Sequence, residues 1–162
     1  MTLRRALRLV RRTGRVAEPA PPRPEPLPAR PAELAGSVQI RHVDCGSCNG
    51  CEIEIANAFG PVYDGERYGA RLVASPRHAD VILATGVVTQ NMLNPLLRTI
   101  DATPQPRLVI ALGDCARNGG MFAGAYGVVG AVSDIVDVDL EIPGCPPEPE
   151  AIVSALRRVT GR

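Results

Sequence analysis

The stretch RLVIALG, residues 107–113, decides the fold class of this chain. Its apolar run between Arg107 and Gly113 is too short for a helix and is typical of a strand buried on both faces. Strands of that kind belong to parallel sheets, in which helices connect neighbouring strands and cover the sheet. The stretch ADVILATG (79–86) has the same buried character. Together the two stretches predict the interior of a parallel sheet.

Outward from these two strands, strand and helix patterns alternate along the chain. Three more strands are predicted, in VQIRHV (38–43), ARLVASP (70–76) and VDLEIPG (138–144). Three helices are predicted, in CEIEIANAF (51–59), MLNPLLRTIDA (92–102) and PEPEAIVSALRRV (147–159). Pro95 fits the second helix only near its first turn. The alternation predicts one α/β domain, residues 37–162, with an open parallel sheet and helices on its faces.

Composition excludes several kinds of site. The chain has 162 residues, 45% of them hydrophobic and only 3% aromatic, so its core is built from aliphatic side chains. All 18 basic residues are Arg, which excludes a standard P-loop phosphate site, a Schiff base and a lysine general base. Residues 1–36 contain eight Arg and three Glu, whereas residues 37–162 contain ten Arg and fourteen acidic residues. The positive charge is therefore concentrated in the N-terminal segment, and nothing indicates nucleic-acid binding.

Residues 1–36 are predicted to form an extended N-terminal arm. Within residues 2–13, apolar side chains at helical spacing lie on one face and arginines lie elsewhere. One interpretation is a helix that lies on a membrane surface or on a partner subunit, and the other is a frayed basic tail. Residues 17–31 hold seven of the sixteen prolines and are predicted to be a stiff linker. No apolar segment with a cleavage site follows the basic start, so we expect a cytoplasmic chain without export.

The five cysteines all follow predicted strands. Cys45, Cys48 and Cys51 lie in DCGSCNGCEIE (44–54), Cys115 follows RLVIALG, and Cys145 follows VDLEIPG. Because the carboxyl ends of parallel strands share one edge of the sheet, the distant cysteines can converge there. Thiols in a cytoplasmic chain indicate metal or redox chemistry before disulfides. We therefore expect one metal or cluster site at this edge.

Spacing alone leaves the ligand set open. The C-x2-C-x2-C run resembles the start of a bacterial ferredoxin motif, but the fourth ferredoxin cysteine should follow soon after the third. A [4Fe–4S] cluster has four irons, so one of the five cysteines is spare. A zinc site with four thiolates is the structural alternative, although the usual second C-x2-C pair is missing.

Four motifs, GSCNGCEIE, SPRHADVILATG, GDCARNGG and PGCPPEPEAI, strongly resemble the small iron–sulfur subunit of membrane-bound, energy-converting [NiFe] hydrogenases and formate hydrogenlyase complexes. That family is similar to the B-type (20 kDa) subunit of respiratory NADH:quinone oxidoreductase. The resemblance covers roughly residues 38–158. It implies a flavodoxin-like domain with one [4Fe–4S] cluster bound by Cys48, Cys51, Cys115 and Cys145. Cys45 matches no ligand position and is expected to be a small buried side chain.

The resemblance also implies a function. The chain is expected to be an electron-transfer subunit of an oxidoreductase complex, not catalytic alone, that passes electrons to or from a nickel–iron site in a large subunit. Expected partners are that large subunit, a ferredoxin-like subunit and membrane-arm subunits, with the complex on the inner face of the cell membrane. The first alternative is a quinone-reducing subunit, and the second is a zinc-stabilised interaction module. Respiratory subunits have adjacent cysteines where this chain has two residues between Cys48 and Cys51, which favours the hydrogenase branch.

Other polar residues near the cysteines have two interpretations each. Glu52 and Glu54 lie one and three residues after Cys51. Glu54 matches an acidic position of the family, which implies that it relays protons or tunes the cluster; the alternative is an exposed or helix-capping carboxylate. His78 is interpreted as a turn residue, and Asp114 as a cap of the following turn. The glycine-rich run GGMFAGAYGVVG (119–130) lacks nucleotide-binding spacing and is interpreted as a loop over the cluster at the partner interface.

Overall fold

The domain is built on an open five-stranded sheet. The computed structural model describes residues 3–14, 19, 21–28 and 31–162. The sheet strands are β1 (Val38–Asp44), β2 (Ala70–Leu72), β3 (Val81–Thr85), β5 (Leu108–Leu112) and β7 (Leu140–Ile142), and a separate antiparallel pair consists of β4 (Val88–Thr89) and β6 (Val128–Gly130). All pairings in the larger sheet are parallel, in the order β2-β1-β3-β5-β7.

This order is the flavodoxin-like one, and it confirms the predicted fold class. After β1 the chain moves to one edge through β2, and after β3 it moves to the other edge through β5 and β7. The connections therefore diverge between the neighbouring strands β1 and β3, and ligands of such sheets bind outside the carboxyl ends at that point. The predicted N-terminal arm as a whole stays a prediction, because residues 15–18, 20, 29 and 30 lie outside the described residues.

Helices cover both faces of the sheet. The helices near the sheet are α2 (Gly50–Ala58), α3 (Gln90–Ala102), α4 (Asp114–Asn118) and α5 (Pro149–Thr160), whereas α1 (Leu3–Thr13) has no buried residue and belongs to neither core. One core includes Ile40 and Leu83 of the sheet with the buried side chains of α2 and α5. The other core includes Ile82 with Leu96 of α3. The alternating residues of the strands thus face two separate apolar layers, as both-face burial of the sheet requires.

The position of Pro95 in α3 differs from the prediction. The helix begins at Gln90, two residues earlier than expected, so Pro95 lies in its second turn. Proline has no N–H group to donate to the carbonyl of Asn91, so one hydrogen bond of the helix is absent there. The Thr99 hydroxyl donates to the Pro95 carbonyl at 2.7 Å, one turn further along. The predicted helix exists, and its start was wrong by two residues.

Part of the proline-rich segment lies on the α/β domain. Leu27 is buried in the core beneath α2 and α5, and its N–H donates to the Arg158 carbonyl at 3.1 Å. The Arg157 guanidinium donates to the Pro22 carbonyl at 2.6 Å and lies over the ring of Tyr68. Residues 21–28 therefore form a strap, with neither helix nor strand, across the end of α5. Among the described residues, no helix combines the length and the apolar character needed to cross a bilayer.

Candidate functional site

Four of the five cysteines converge on one small cavity at the carboxyl edge of the sheet. Its volume is about 70 Å³. The residues around it are Ser47, Cys48, Gly50, Cys51, Gly86, Asp114, Cys115, Gly144, Cys145 and Pro146. The convergence of cysteines from three distant parts of the chain agrees with the placement expected from the strand ends. Their role as cluster ligands stays a prediction.

Cys45 is outside this cavity. Its side chain is fully buried in the core on the α3 side of the sheet, and its thiol donates to the Val43 carbonyl at 3.8 Å. Burial and the nearby Asp44 carboxylate raise the pKa of the Cys45 thiol to about 12. The side chain is therefore a protonated, small, buried group, as the sequence predicted.

Two sulfurs lie inside the site and two lie at its rim. Cys51 is the second residue of α2, Cys115 is the second residue of α4, and both are buried. Cys48, in the loop before α2, and Cys145, in the turn after β7, are exposed. A group bound by all four sulfurs would therefore be covered by the domain on one side and open on the other.

Glycine is required where the backbone approaches the buried sulfurs. Gly113, between β5 and α4, has φ +88°, and a Cβ at this position would lie 2.7 Å from Cys51 Sγ. A Cβ on Gly120, which also has positive φ, would lie 3.1 Å from Cys115 Sγ. Sequence analysis did not identify either glycine, because the contacts join parts of the chain that are distant in sequence. The approach of Gly120 brings the 119–130 loop next to the site.

The electrostatics of the cavity oppose four bare thiolates. Burial raises the pKa of Cys51 to about 12, with further contributions from Glu52 and from the sulfurs of Cys115, Cys48 and Cys145. Burial also raises the pKa of Cys115, with help from Cys145 and Cys48. The neighbouring sulfurs therefore disfavour ionisation of the Cys51 and Cys115 thiols. Thiolates become stable here only with compensating positive charge, which a metal centre supplies as it displaces the protons.

The donor set fits an iron–sulfur cluster by ligand type. Four thiolates are the common ligands of a [4Fe–4S] cluster, and each binds a different iron. Among the residues that the structure describes, there is no group of three or more His, Cys, Asp or Glu side chains arranged to bind a single metal ion. Sulfurs on four different irons are spaced more widely than those on one zinc ion, whose Zn–S bonds are about 2.3 Å.

A half-buried carboxylate fixes the loop that carries Cys48. Glu52 accepts hydrogen bonds from the Ser47 hydroxyl at 2.7 Å and from the Thr85 hydroxyl at the end of β3. The Asp44 carboxylate accepts from the backbone N–H groups of Gly46 and Ser47 at 2.9 and 2.8 Å. The loop is thus attached to β1, β3 and α2 at once. Glu54 makes a different contact, accepting from the Asn57 amide at 3.2 Å on the outer side of α2.

A second carboxylate joins the segments of Cys115 and Cys145. Asp114 Oδ1 accepts from the Gly144 N–H at 3.0 Å and from Arg117 at 3.1 Å. Arg117 also donates to Glu141 of β7 at 3.0 Å. Asp114 was interpreted from sequence as a local cap, but its carboxylate instead connects two neighbouring strand ends. The sequence gives no direct signal for this, because Gly144 is 30 positions away.

His78 and the glycine-rich run lie near their expected environments. His78 is an exposed residue of a 3₁₀ turn, Pro76–His78, as predicted. Within the glycine-rich run, a 3₁₀ turn (Gly120–Phe122) precedes β6, and the side chains of Met121 and Tyr126 are exposed. Its contact with a partner stays a prediction.

His42 gives the domain a pH-dependent stability. Its Nε2 is 2.9 Å from Thr85 Oγ1 and 3.4 Å from Glu52, and burial lowers its pKa below 6.5 although Glu52 and Asp44 oppose the shift. The unfolded chain therefore takes up the proton first as the pH falls below 6.5, and this favours unfolding. We expect His42→Asn to lose stability less steeply than the unaltered protein as the pH falls from 6.5. The midpoint of urea unfolding, measured over a series of pH values, tests this prediction, and His78→Asn is the control. If the midpoint of His42→Asn fell with pH as steeply as that of the unaltered protein, the prediction would be contradicted.

Comparison with known proteins finds one matching family model and several similar chains. Residues 48–159 match the family model described as NADH ubiquinone oxidoreductase, 20 Kd subunit. This range contains the four cysteines of the cavity and begins after Cys45. The chain is 46% identical over 129 residues to formate hydrogenlyase subunit 7 of Escherichia coli (strain K12), which covers 80% of this chain and 51% of the relative. It thus spans about half the length of that relative.

Two further similarities cover more of the matched protein. The chain is 48% identical over 120 residues to the Pyrococcus furiosus protein named "Probable membrane-bound hydrogenase subunit mbhJ", covering 74% of this chain and 72% of the relative. Among solved structures, it is similar to a chain of the membrane-bound sulfane sulfur reductase, an archaeal respiratory membrane complex. That match has a TM-score of 0.68 and 34% identity, and it covers 78% of this chain and 70% of the other.

Proposed function

Since the chain belongs to the family described as NADH ubiquinone oxidoreductase, 20 Kd subunit, we propose that it is the electron-carrying subunit of a membrane-associated oxidoreductase complex. Its cofactor is one [4Fe–4S] cluster with Cys48, Cys51, Cys115 and Cys145 as ligands. The observation that supports this most directly is the meeting of these four sulfurs, from three strand ends, around one cavity. The cluster supplies reversible one-electron transfer when it is bound.

The residues of this chain contribute position and electrostatics. The buried sulfurs of Cys51 and Cys115 hold the inner side of the group, and the exposed sulfurs of Cys48 and Cys145 hold its outer side. The exposed rim is where electrons leave or enter, because electron transfer is favoured by short distance to the partner. Glu52 and Asp114 keep the three ligand-bearing segments in register through hydrogen bonds to Ser47, Thr85 and Gly144.

The proposed partner is a large subunit with a nickel–iron site that forms or oxidises H2. The relatives named as formate hydrogenlyase and hydrogenase subunits support this acceptor. A ferredoxin-like subunit and membrane-arm subunits complete the complex, on the inner face of the cell membrane. Quinone reduction is the second candidate, favoured by the family description, and the similarity to a sulfane sulfur reductase chain adds a third acceptor class.

Metal and sulfide analysis tests the cofactor. We expect the anaerobically purified full chain to contain about four iron atoms and about four acid-labile sulfides, with a reducible visible absorption band. One zinc per chain without visible absorption would contradict the cluster and favour the interaction module.

Purification with the native partners tests the acceptor: nickel in the large subunit and H2-dependent dye reduction support the hydrogenase. Their absence together with quinone or sulfane sulfur reduction would overturn it.

Glu52 is expected to lower the reduction potential of the cluster. Its carboxylate lies beside Cys51 and raises the pKa of that thiol, so its negative charge also disfavours an added electron. We expect Glu52→Gln to raise the midpoint potential by roughly 60 mV, which corresponds to about 1.4 kcal/mol of lost repulsion for a one-electron couple. The amide keeps an acceptor oxygen for the Thr85 hydroxyl.

A redox titration followed by electron paramagnetic resonance measures this shift. Glu54→Gln is the matched control, because Glu54 is on the same helix and its carboxylate accepts a hydrogen bond from Asn57 on the outer side, away from the loop that carries Cys48. We expect a smaller shift in the control. Equal shifts in both variants, or a lower potential in Glu52→Gln, would show that Glu52 does not act through its charge.

A further inference from the structure

Helix α1 separates four of its five apolar residues from its arginines, and only Leu9 lies outside the apolar face. At about 100° per residue, its side chains Leu3, Ala6, Leu7 and Val10 fall within an arc of about 100°. The five arginines fall within an arc of about 120° on the other side, and the helix contains no acidic residue. The arginines are Arg4, Arg5, Arg8, Arg11 and Arg12. This pattern is that of an amphipathic helix with a net charge carried on one side only.

The apolar face of α1 is not covered by the rest of the described chain. No residue of the helix is buried, and the exposed fractions of Leu3, Leu7 and Val10 are 77%, 52% and 62%. An isolated helix of 11 residues is marginal in water, so a surface that covers the apolar face is needed to stabilise it. The helix is about 16 Å long, which suits a position in the plane of a surface.

The charge of α1 selects an anionic lipid surface as that partner. A groove on a protein would cover the apolar face and leave the arginine face without a role. At a bilayer, apolar side chains enter the boundary between headgroups and acyl chains, while the long arginine side chains reach the phosphates. The negative surface potential of an anionic leaflet attracts each of these arginines. Both faces of the helix are then used at once.

The strap limits how far α1 can be from the domain. The chain from Gly14 to Pro21 is seven residues long and spans at most about 25 Å. From Pro22 to Leu27 the chain is attached to the end of α5 by the hydrogen bonds with Arg157 and Arg158. A surface bound by α1 would therefore lie close to this part of the domain.

We propose that α1 binds directly to anionic phospholipid membranes, with its apolar face in the headgroup boundary and its arginines on the phosphates. The binding is a property of this chain and does not pass through other subunits. It is independent of the cluster and of the electron acceptor.

Sedimentation of the full chain with lipid vesicles tests the proposal. We expect binding to vesicles of phosphatidylcholine mixed with phosphatidylglycerol, weakening as salt is added, and at least on the order of tenfold weaker binding to phosphatidylcholine alone. Leu7→Asp and the double variant Arg8→Glu, Arg12→Glu should each lose most of the binding. Because none of these residues is buried, the variants should unfold at the same temperature as the unaltered protein.

Two controls separate lipid binding from other effects. Val62→Asp places the same charge on an exposed apolar residue outside α1 and should bind normally. Replacement of all five α1 arginines by lysine keeps the charge and should retain most of the binding. Equal binding to both kinds of vesicle, or binding unchanged in Leu7→Asp, would overturn the proposal. So would a chain that binds no vesicle but loses its partner subunits when Leu7 is changed, because α1 would then bind protein.

Discussion

Cys115→Ser is expected to reduce the iron and sulfide content of the chain by at least on the order of tenfold. Cys115 lies at the inner side of the cavity, where its thiol is buried and its ionisation is coupled to Cys145 and Cys48. Serine is a much weaker ligand for iron because its hydroxyl rarely ionises. With three thiolates left, one iron of the proposed cluster would lack its protein ligand. Iron and sulfide analysis with a visible spectrum measures the loss.

Cys45→Ser is the matched control for this prediction. It makes the same chemical change at a buried cysteine that is outside the cavity. Placing a hydroxyl in that apolar core costs stability, about 1–3 kcal/mol if the hydroxyl finds no partner, but the cluster content should remain normal. If Cys45→Ser lost the cluster and Cys115→Ser kept it, the ligand set proposed here would be wrong and Cys45 would be a ligand.

Gly113→Ala is expected to prevent assembly of the site while leaving the sheet intact. The new methyl group would lie 2.7 Å from Cys51 Sγ, closer than such a contact tolerates, and Gly144 O and Pro147 are also nearby. The sulfur would have to move from its place in the cavity. Alanine also adds a backbone cost, on the order of 1–3 kcal/mol, because φ +88° with ψ 157° is a conformation that residues other than glycine rarely adopt. We expect both a lower unfolding midpoint and the loss of most of the bound iron.

Gly127→Ala separates the two causes. Gly127 has φ +81°, similar to the +88° of Gly113, but a Cβ there meets no atom within 4 Å. The control therefore includes the cost of a side chain at positive φ without the contact with Cys51. It should lose about 1–2 kcal/mol of stability and keep its iron. Equal iron content in the two alanine variants would mean that the approach of Gly113 to Cys51 does not limit cluster binding.

The buried strands made the fold predictable. The run at 107–113 and its neighbours carry strong apolar signals, and the rule that parallel strand ends share an edge then places the cysteines together. The sequence alone indicates that one of the five cysteines is spare, because a cluster needs only four thiolates. It does not show which one, and the choice of Cys45 came from the family resemblance. The cavity supports that choice because Cys45 is buried elsewhere.

Other features left no signal because they depend on tertiary contacts. β4 and β6 are only two and three residues long, which is too short for an alternation of apolar and polar residues to be recognised. Pro95 was expected near the start of its helix, yet the helix begins at Gln90 and continues past Pro95, where Leu96 and Ile100 are buried. Gly113 and Asp114 act on residues that are near only after folding. The proline-rich sequence around Leu27 does not indicate that its side chain is buried in the core.

The strap also constrains the order in which the chain can complete its fold. Pro22 and Arg157, which it joins, are 135 positions apart, so this contact cannot form during synthesis until nearly the whole α/β domain has left the ribosome. Until then the position that Leu27 fills on the growing domain stays open to water or to other apolar chains. A nascent chain that pauses before α5 therefore exposes this apolar surface and can aggregate through it. The exposure ends when residues 21–28 of the same chain bind to the completed domain.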